Sequence, residues 1–311
     1  MNTSQRPSVK ELVILVVALA VWMGVTATFL TLRPEHWFLG GLIAALFLIN
    51  ASTRKLVVAL IPFAIFGISY DWMNLCHNYE VNPVDIEGIY NAEKAFFGIT
   101  TAAGDVLTPN EYFAQFHNSL IDVLCGVFYL CWVPVPIAFG LWLYCKKQRK
   151  VYLHFALVFL LVNLVGFAGY YIHPAAPPWY IAEYGFDLDL SAHGSVAGLG
   201  AFDKITGLGI FDGLYTRNAN IFAAVPSLHS AYVPVAFYYS LKAKCPLWMR
   251  IALAVIACGI WFTAVYTSHH YLIDVLLGIF TAALGIAIFE GLLMRIPAFK
   301  RFMDAYTAYV S

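Results

Sequence analysis

Charged side chains are scarce in this chain: 12% of its 311 residues are Asp, Glu, Lys or Arg, against 61% apolar. That is too little polar surface to coat a soluble body of this length, so the expected solvent is a bilayer. No basic run is long enough for a nucleic-acid footprint, and the formal net charge is zero. No Cys-x-x-Cys pair occurs, and the six cysteines are scattered, mostly in apolar runs. A disulfide framework and a zinc site are thereby disfavoured, and packing is the expected role. The first apolar run has no clear small-residue cleavage site and is long enough to span, so it reads as a permanent anchor.

What the chain does have is apolar runs of spanning length. About eight transmembrane helices are predicted, over residues 11–32, 37–50, 56–72, 120–145, 151–172, 226–241, 249–266 and 270–293. The second and sixth are short, and Pro234 should kink the sixth. The fold class is therefore all-α, a polytopic membrane protein. Three parts are expected: N-terminal helices with an outer interfacial segment (1–118), a catalytic helical core (119–293) and a cytoplasmic tail (294–311). With the N-terminus inside, all of the eighteen Lys and Arg except Arg33, Lys94, Lys204 and Arg217 fall on inner loops, as the positive-inside rule requires. Both termini are then cytoplasmic.

Two histidine motifs stand 41 residues apart, Pro226-Ser227-Leu228-His229 and His270-Tyr271-Leu272-Ile273-Asp274. On that topology both lie at the non-cytoplasmic ends of their helices, a bacterial inner-membrane or Golgi-type arrangement. A histidine four residues before an aspartate on a helix puts both on one face, so the carboxylate can hold one ring nitrogen and free the other to attack phosphorus. His229, in the first turn of another helix, can supply the leaving group's proton. Pro226 suits a helix start, where N–H groups would face phosphate oxygens, and Ser227 adds a hydroxyl donor. His269 points about 100 degrees away from His270 on a helix. Two outer segments, 73–119 and 173–225, are too long for turns and read as a roof and a lid. The second contains an internal echo, Gly198 to Asp203 and Gly207 to Asp212, read as a pair of capped turns.

These motifs, with Pro174-Ala175-Ala176-Pro177-Pro178-Trp179-Tyr180, resemble the signatures of the type 2 phosphatidic acid phosphatase superfamily, and more closely its aureobasidin-sensitive fungal inositol phosphorylceramide synthase branch. The resemblance covers residues 151–293. It implies a phosphatase-like helical core with His270 as nucleophile, Asp274 as its orienting partner and His229 as general acid and then base. It also implies a phosphoinositol headgroup passing from phosphatidylinositol to ceramide or another lipid alcohol through a phosphohistidine. The chain departs from the wider phosphatase pattern. The Lys-x6-Arg-Pro signature is absent, and Ala264 stands where an arginine precedes the third-motif histidine. A phosphomonoester dianion needs dense positive charge, whereas a diester can be held by fewer cations and more neutral donors. The loss favours a headgroup transferase over the alternative, a lipid phosphate phosphatase using the same histidines. Arg217 is the candidate for part of the missing charge, with His173, Trp179 and Tyr180 as further candidate substrate contacts.

Histidine chemistry calls for no metal or cofactor, and no ligand cluster argues for one. His36, His77, His117, His154 and His193 read as interfacial residues, and Trp179 and Tyr180 as belt aromatics before substrate contacts. A lipid transporter is the rival class. Ionisable groups near mid-bilayer would favour it, but here His154 lies near an inner end and Glu290 late in the last span.

Overall fold

The computed structural model describes residues 6–215 and 220–311. Helix α1 (Val9–Phe29) starts at a capping box in which Ser8 accepts the Glu11 amide and Glu11 accepts that of Ser8. It buries only Trp22 and Thr26 and exposes Val9, Val13, Val16, Val17 and Val21, the pattern of a helix facing lipid. α2 (Pro34–Ile49) follows. α3 (Ala51–Ala59) and α4 (Ile61–Trp72) are one apolar run bent by 49° at Leu60, where Pro62 enters the first turn of α4. A second bent pair, α7 (Ser119–Leu130) and α8 (Pro134–Cys145), breaks by 44° ahead of Pro134. Between the pairs lie α5 (Glu87–Phe97), a two-residue hairpin pairing Ile99–Thr100 with Val106–Leu107, and α6 (Pro109–Phe113).

The core is built on α9 (Arg149–Ile172), buried along most of its length and packed against α4, α8, α13 (His229–Lys242) and α15 (Leu272–Ile286). α14 (Leu247–Tyr266) packs on α13 and α7. α13 is not interrupted by Pro234. The Ser230 carbonyl, which a residue at 234 would otherwise engage, accepts instead from the Trp261 indole N–H at 3.0 Å. α15 runs into a π-helical turn, Ala287–Leu292, and α16 (Pro297–Val310) lies across the ends of α3 and α9.

Among the described residues, four helices (α1, α9, α14, and α15 with its extension) are long and apolar enough to cross a membrane, or up to six if each bent pair is one span. The 16 residues of α2 and 14 of α13 fall short of that length. The segment 173–225 holds α10 (Pro178–Tyr184), α11 (Gly200–Thr206) and α12 (Ile210–Tyr215). The sequence echo becomes the α11–α12 pair. Phe202 and Phe211 meet edge to face at 5.5 Å, and the Asp203 carboxylate accepts the Ile210 and Asp212 amides at 2.9 Å each. The segments 73–119 and 173–225 are joined by a short parallel bridge, Asp85 to Ala175, and a second bridge, Ala175 to Ala223, ties the two ends of the latter together.

Candidate active site

Two turns at one end of the bundle carry the histidine motifs. The first ends at His229, the opening residue of α13. The second, 267–271, leads from α14 into α15, so His269 and His270 lie in a turn rather than on a helix. Both of their amides donate to the Ala264 carbonyl, at 3.0 and 2.9 Å. Ala264 is fully buried, and the position that carries arginine in the phosphatase pattern here folds the turn through its backbone.

The turns are bound to each other. The Ser227 amide donates to the Asp274 carbonyl at 3.0 Å. A Cβ at Gly278 would stand 2.0 Å from the Ser227 carbonyl oxygen, so only glycine lets α15 approach this closely. His229 Nδ1 and His270 Nε2 consequently meet at 3.1 Å. On the other side of the His270 ring, Nδ1 is 3.5 Å from Asp274 Oδ2. That oxygen accepts the Tyr271 amide at 2.9 Å, and Asp274 is fully buried. The turn has thus preserved the four-residue proximity of His270 and Asp274 that a helix would have given.

Ser227 is fully buried too, and its hydroxyl accepts from Ser230 at 3.2 Å. The expected cradle of amides after Pro226 is altered: the helix begins at His229, and the Ser227 N–H is spent on Asp274. His173 is half exposed and pairs with Asp85 at 3.3 Å, within electrostatic reach of Asp274. Trp179 reaches the histidine turn through its backbone, its amide donating to the Ser268 carbonyl at 3.0 Å, whereas the side chains of Trp179 and Tyr180 pack elsewhere. They sit in a separate buried cluster with Ile86, Ala176, Ala192 and Phe222, and the Tyr180 hydroxyl is held by the Asp187 carbonyl and the Asp189 amide. Both are buried, so their aromatic bulk braces the segment 173–225 rather than lying in an interfacial belt. Arg217 lies outside the described residues. Two histidines expected at the interface are instead buried against carboxylates: His36 by Asp71 at 3.2 Å and His154 by Glu290 at 2.9 Å.

Several contributors carried no signal in the sequence. Tyr129 stacks on His229 with ring centres 4.8 Å apart, and Trp132 lies 4.3 Å away, so two residues of a plain apolar run wall His229. Asn110, 2% exposed, donates through its one amide nitrogen to the Val265 and His270 carbonyls at 2.8 and 2.9 Å. Glu93 accepts the Leu272 and Ile273 amides at 2.9 and 3.1 Å, capping α15 from another segment. Burial holds the Glu93 carboxyl above its ordinary range despite those two donors. The outer segment 73–119 is therefore not a loose roof: two of its side chains fix the turn on which His270 sits.

The site can do what its parts suggest. A ring nitrogen is backed by a carboxylate, and a second imidazole reaches the same point, the arrangement of a nucleophile with an acid–base partner. Residues 105–288 match the PAP2 superfamily. The chain is 57% identical over 304 residues to the phosphoinositol dihydroceramide synthase of Bacteroides thetaiotaomicron, covering 98% of this chain and 99% of that one. It is 29% identical over 203 residues to the inositol phosphorylceramide synthase of Candida albicans, covering 64% of this chain and 38% of the relative. To the inositol phosphorylceramide synthase catalytic subunit AUR1 of Saccharomyces cerevisiae it is 31% identical over 121 residues, or 38% of this chain and 29% of that one. No solved structure matches the chain. The matched region holds both histidine motifs and more than half of the sequence, and this chain belongs to the PAP2 superfamily.

Proposed function

We propose that this protein is a membrane phosphotransferase that moves a phosphoinositol group from phosphatidylinositol to the primary hydroxyl of a ceramide, releasing diacylglycerol. The observation that carries the chemistry is the 3.1 Å meeting of His229 Nδ1 and His270 Nε2, with Asp274 on the far side of the His270 ring. Near full-length identity to a phosphoinositol dihydroceramide synthase supports the choice of substrates.

Asp274 accepts only, so it favours the His270 tautomer with its proton on Nδ1 and a lone pair on Nε2. The hydrogen shared between the two rings then belongs to His229 Nδ1. In the first displacement the rings part to admit the phosphodiester, and His270 Nε2 attacks phosphorus. The bond to the diacylglycerol oxygen breaks, and that oxygen takes the Nδ1 proton of His229 in its imidazolium form, leaving a neutral ring with its remaining proton on Nε2. The products are diacylglycerol and a phosphoinositol group on His270, whose imidazolium Asp274 stabilises. In the second displacement His229 Nδ1 takes the proton of the ceramide hydroxyl as its oxygen attacks phosphorus, and His270 leaves with its lone pair restored. Neutral donors suit a singly charged diester. The Ser227 hydroxyl and the buried Tyr129 hydroxyl, which stands beside that of Tyr215, are proposed to meet its oxygens. His173 and Arg217 are proposed to supply positive charge.

In the membrane, eight spans result when each bent pair counts once and α2 and α13 are taken as short spans. His229 opens α13 and Lys242 closes it, which agrees with a non-cytoplasmic site and cytoplasmic termini. The helices before residue 119 carry the outer segment that buttresses the core at 119–293, and the remainder forms the tail. The test is to give purified protein headgroup-labelled phosphatidylinositol with and without ceramide. The expected product is a ceramide phosphoinositol, with donor consumption rising when ceramide is added. Rapid release of inorganic phosphate from phosphatidic acid, with no headgroup transfer, would overturn this reading in favour of a phosphatase.

A further inference from the structure

His269 is a second buried histidine beside the nucleophile, 4% exposed, and the mechanism above does not use it. Its Nδ1 lies 3.0 Å from the Thr267 hydroxyl and 3.2 Å from the Thr267 carbonyl oxygen. The Thr267 hydroxyl gives its own proton to the Thr263 carbonyl at 2.7 Å, and a carbonyl can only accept. Both neighbours are acceptors, so the ring proton sits on Nδ1. The lone pair is left on Nε2, which is buried and has no hydrogen-bond partner among the described residues. Burial and then the adjacent His270 push the ring's pKa down to about 3, so a second proton does not occupy Nε2 near neutrality.

A buried acceptor left unmet is unfavourable, and where one persists at an active site a ligand donor is the natural complement. The position fits. The Tyr129 ring that stacks on His229 also lies 5.5 Å from the His269 ring, and Tyr215 stands 4.6 Å away on its own contact. His269 therefore shares a wall with the general acid and a turn with the nucleophile. The phosphodiester and the acyl esters of a phospholipid offer acceptors only, so a donor must come from the polyol headgroup or from the sphingoid end of the acceptor.

We propose that His269 is a substrate-binding residue whose Nε2 accepts a hydrogen bond from a hydroxyl carried close to the reacting phosphorus. The proposal rests on the phosphoinositol transfer described above and assigns that site a hydroxyl-reading group. Two hydroxyls have the right chemistry: one on the inositol ring beside the phosphate, and the non-reacting hydroxyl of the long-chain base.

The experiment compares wild type, His269→Phe and His269→Gln in detergent. Each is supplied with intact substrates, with a phosphatidylinositol lacking the ring hydroxyl next to the phosphate, and with a ceramide lacking its secondary hydroxyl. His269→Phe keeps a ring of similar shape without the acceptor and should lower kcat/KM roughly 10- to 100-fold. His269→Gln, with a carbonyl oxygen at similar reach, should recover part of that loss. Deleting the engaged hydroxyl should cost wild type a similar factor and cost His269→Phe little more, since the partner is already gone. Loss of this additivity with the donor analogue assigns the headgroup, and with the acceptor analogue the sphingoid end; either supports the proposal. Fully additive losses with both analogues overturn it while leaving wild-type transfer, and the function, standing. If His269→Phe does not fold, the same comparison is made with His269→Leu, which also lacks the acceptor. Failure of wild type itself to transfer phosphoinositol would remove the functional reading and this inference together.

Discussion

Two of the buried histidine–carboxylate pairs, His154–Glu290 and His270–Asp274, lie at opposite ends of the helical core and differ in what meets the second ring nitrogen. Near the Lys242 end of α13, His154 Nδ1 meets Glu290 at 2.9 Å, and the Tyr239 hydroxyl donates to the same carboxylate oxygen at 2.7 Å. The His154 ring lies against Phe289, 5.3 Å between centres, with no second titratable side chain hydrogen-bonded to its other nitrogen among the described residues. At the opposite end, His270 holds Asp274 more loosely at 3.5 Å, but its other nitrogen faces His229 at 3.1 Å. A histidine–carboxylate pair in a membrane core is thus not evidence of catalysis by itself. The tighter pair locks three helical segments together, and the looser one is the proposed reactive centre because a second imidazole converges on it.

The largest test of that contrast is to remove each histidine in turn. His270→Ala should abolish the covalent phosphoenzyme and cut turnover by more than about 10^4-fold, by analogy with losing a nucleophile elsewhere. His154→Ala should still form the phosphoenzyme. Labelling with headgroup-labelled donor, followed by quenching and gel analysis, separates the two. A labelled band surviving in His270→Ala would sink the assignment.

Asp274→Asn and His229→Ala come next, each expected to slow transfer by about 10^2- to 10^4-fold. Single-turnover measurements should show His229→Ala slowing both formation and discharge of the phosphoenzyme. The contrasting change, Glu290→Gln, should leave the rates of both steps near wild type.

Smaller effects are expected where the outer segment grips the catalytic turn. Asn110→Ala removes two hydrogen bonds to the 264–271 region and should lower kcat by roughly 10- to 100-fold through misplacement of His270. The loss should appear in kcat more than in KM, and an unchanged kcat would mean that the grip is merely structural. Gly278→Ala places a methyl against the Ser227 carbonyl and should act similarly, by pushing the two turns apart.

The smallest effect on turnover, but a clear one on stability, belongs to the tight pair. Glu290→Ala leaves His154 and Tyr239 buried without their common acceptor and should cost about 3 kcal/mol. Thermal unfolding in detergent would register this as a lowered Tm. Equal Tm values for wild type and Glu290→Ala would show that the pair does not hold the bundle together.

Periodicity and composition were enough to recognise a helical chain with several apolar spans, because a lipid-facing or core-facing span writes its apolar length directly into the chain. The eight expected spans, however, include two bent pairs and two helices short of spanning length. Neither signal could show the bends at Leu60 and ahead of Pro134, which depend on how prolines and packing share the broken backbone bonds. His229, His270 and Asp274 were visible as motifs because each is a polar residue at the margin of an apolar run. Tyr129 and Trp132 were not, since an aromatic in a span looks the same whether it faces lipid, core or an imidazole. Glu93 and Asn110 were hidden for a different reason: their partners are backbone groups more than 150 residues away, and no local pattern records such a pairing.

The sequence by itself determined that several helices are apolar and long enough to cross a membrane, that two histidine motifs are the candidates for its chemistry, and that the missing cations favour a diester in the proposed reaction. These follow from residue types and short spacings, which are local properties. Only the tertiary structure decided that His269 and His270 sit in a turn, that Trp179 and Tyr180 brace a separate cluster, and that the His154–Glu290 pair is tied off while the His270–Asp274 pair meets a second imidazole. Those outcomes depend on distances between segments far apart in the chain. Such distances are set by close packing, as at Gly278 against Ser227, and by buried polar atoms that must find partners wherever the fold brings them.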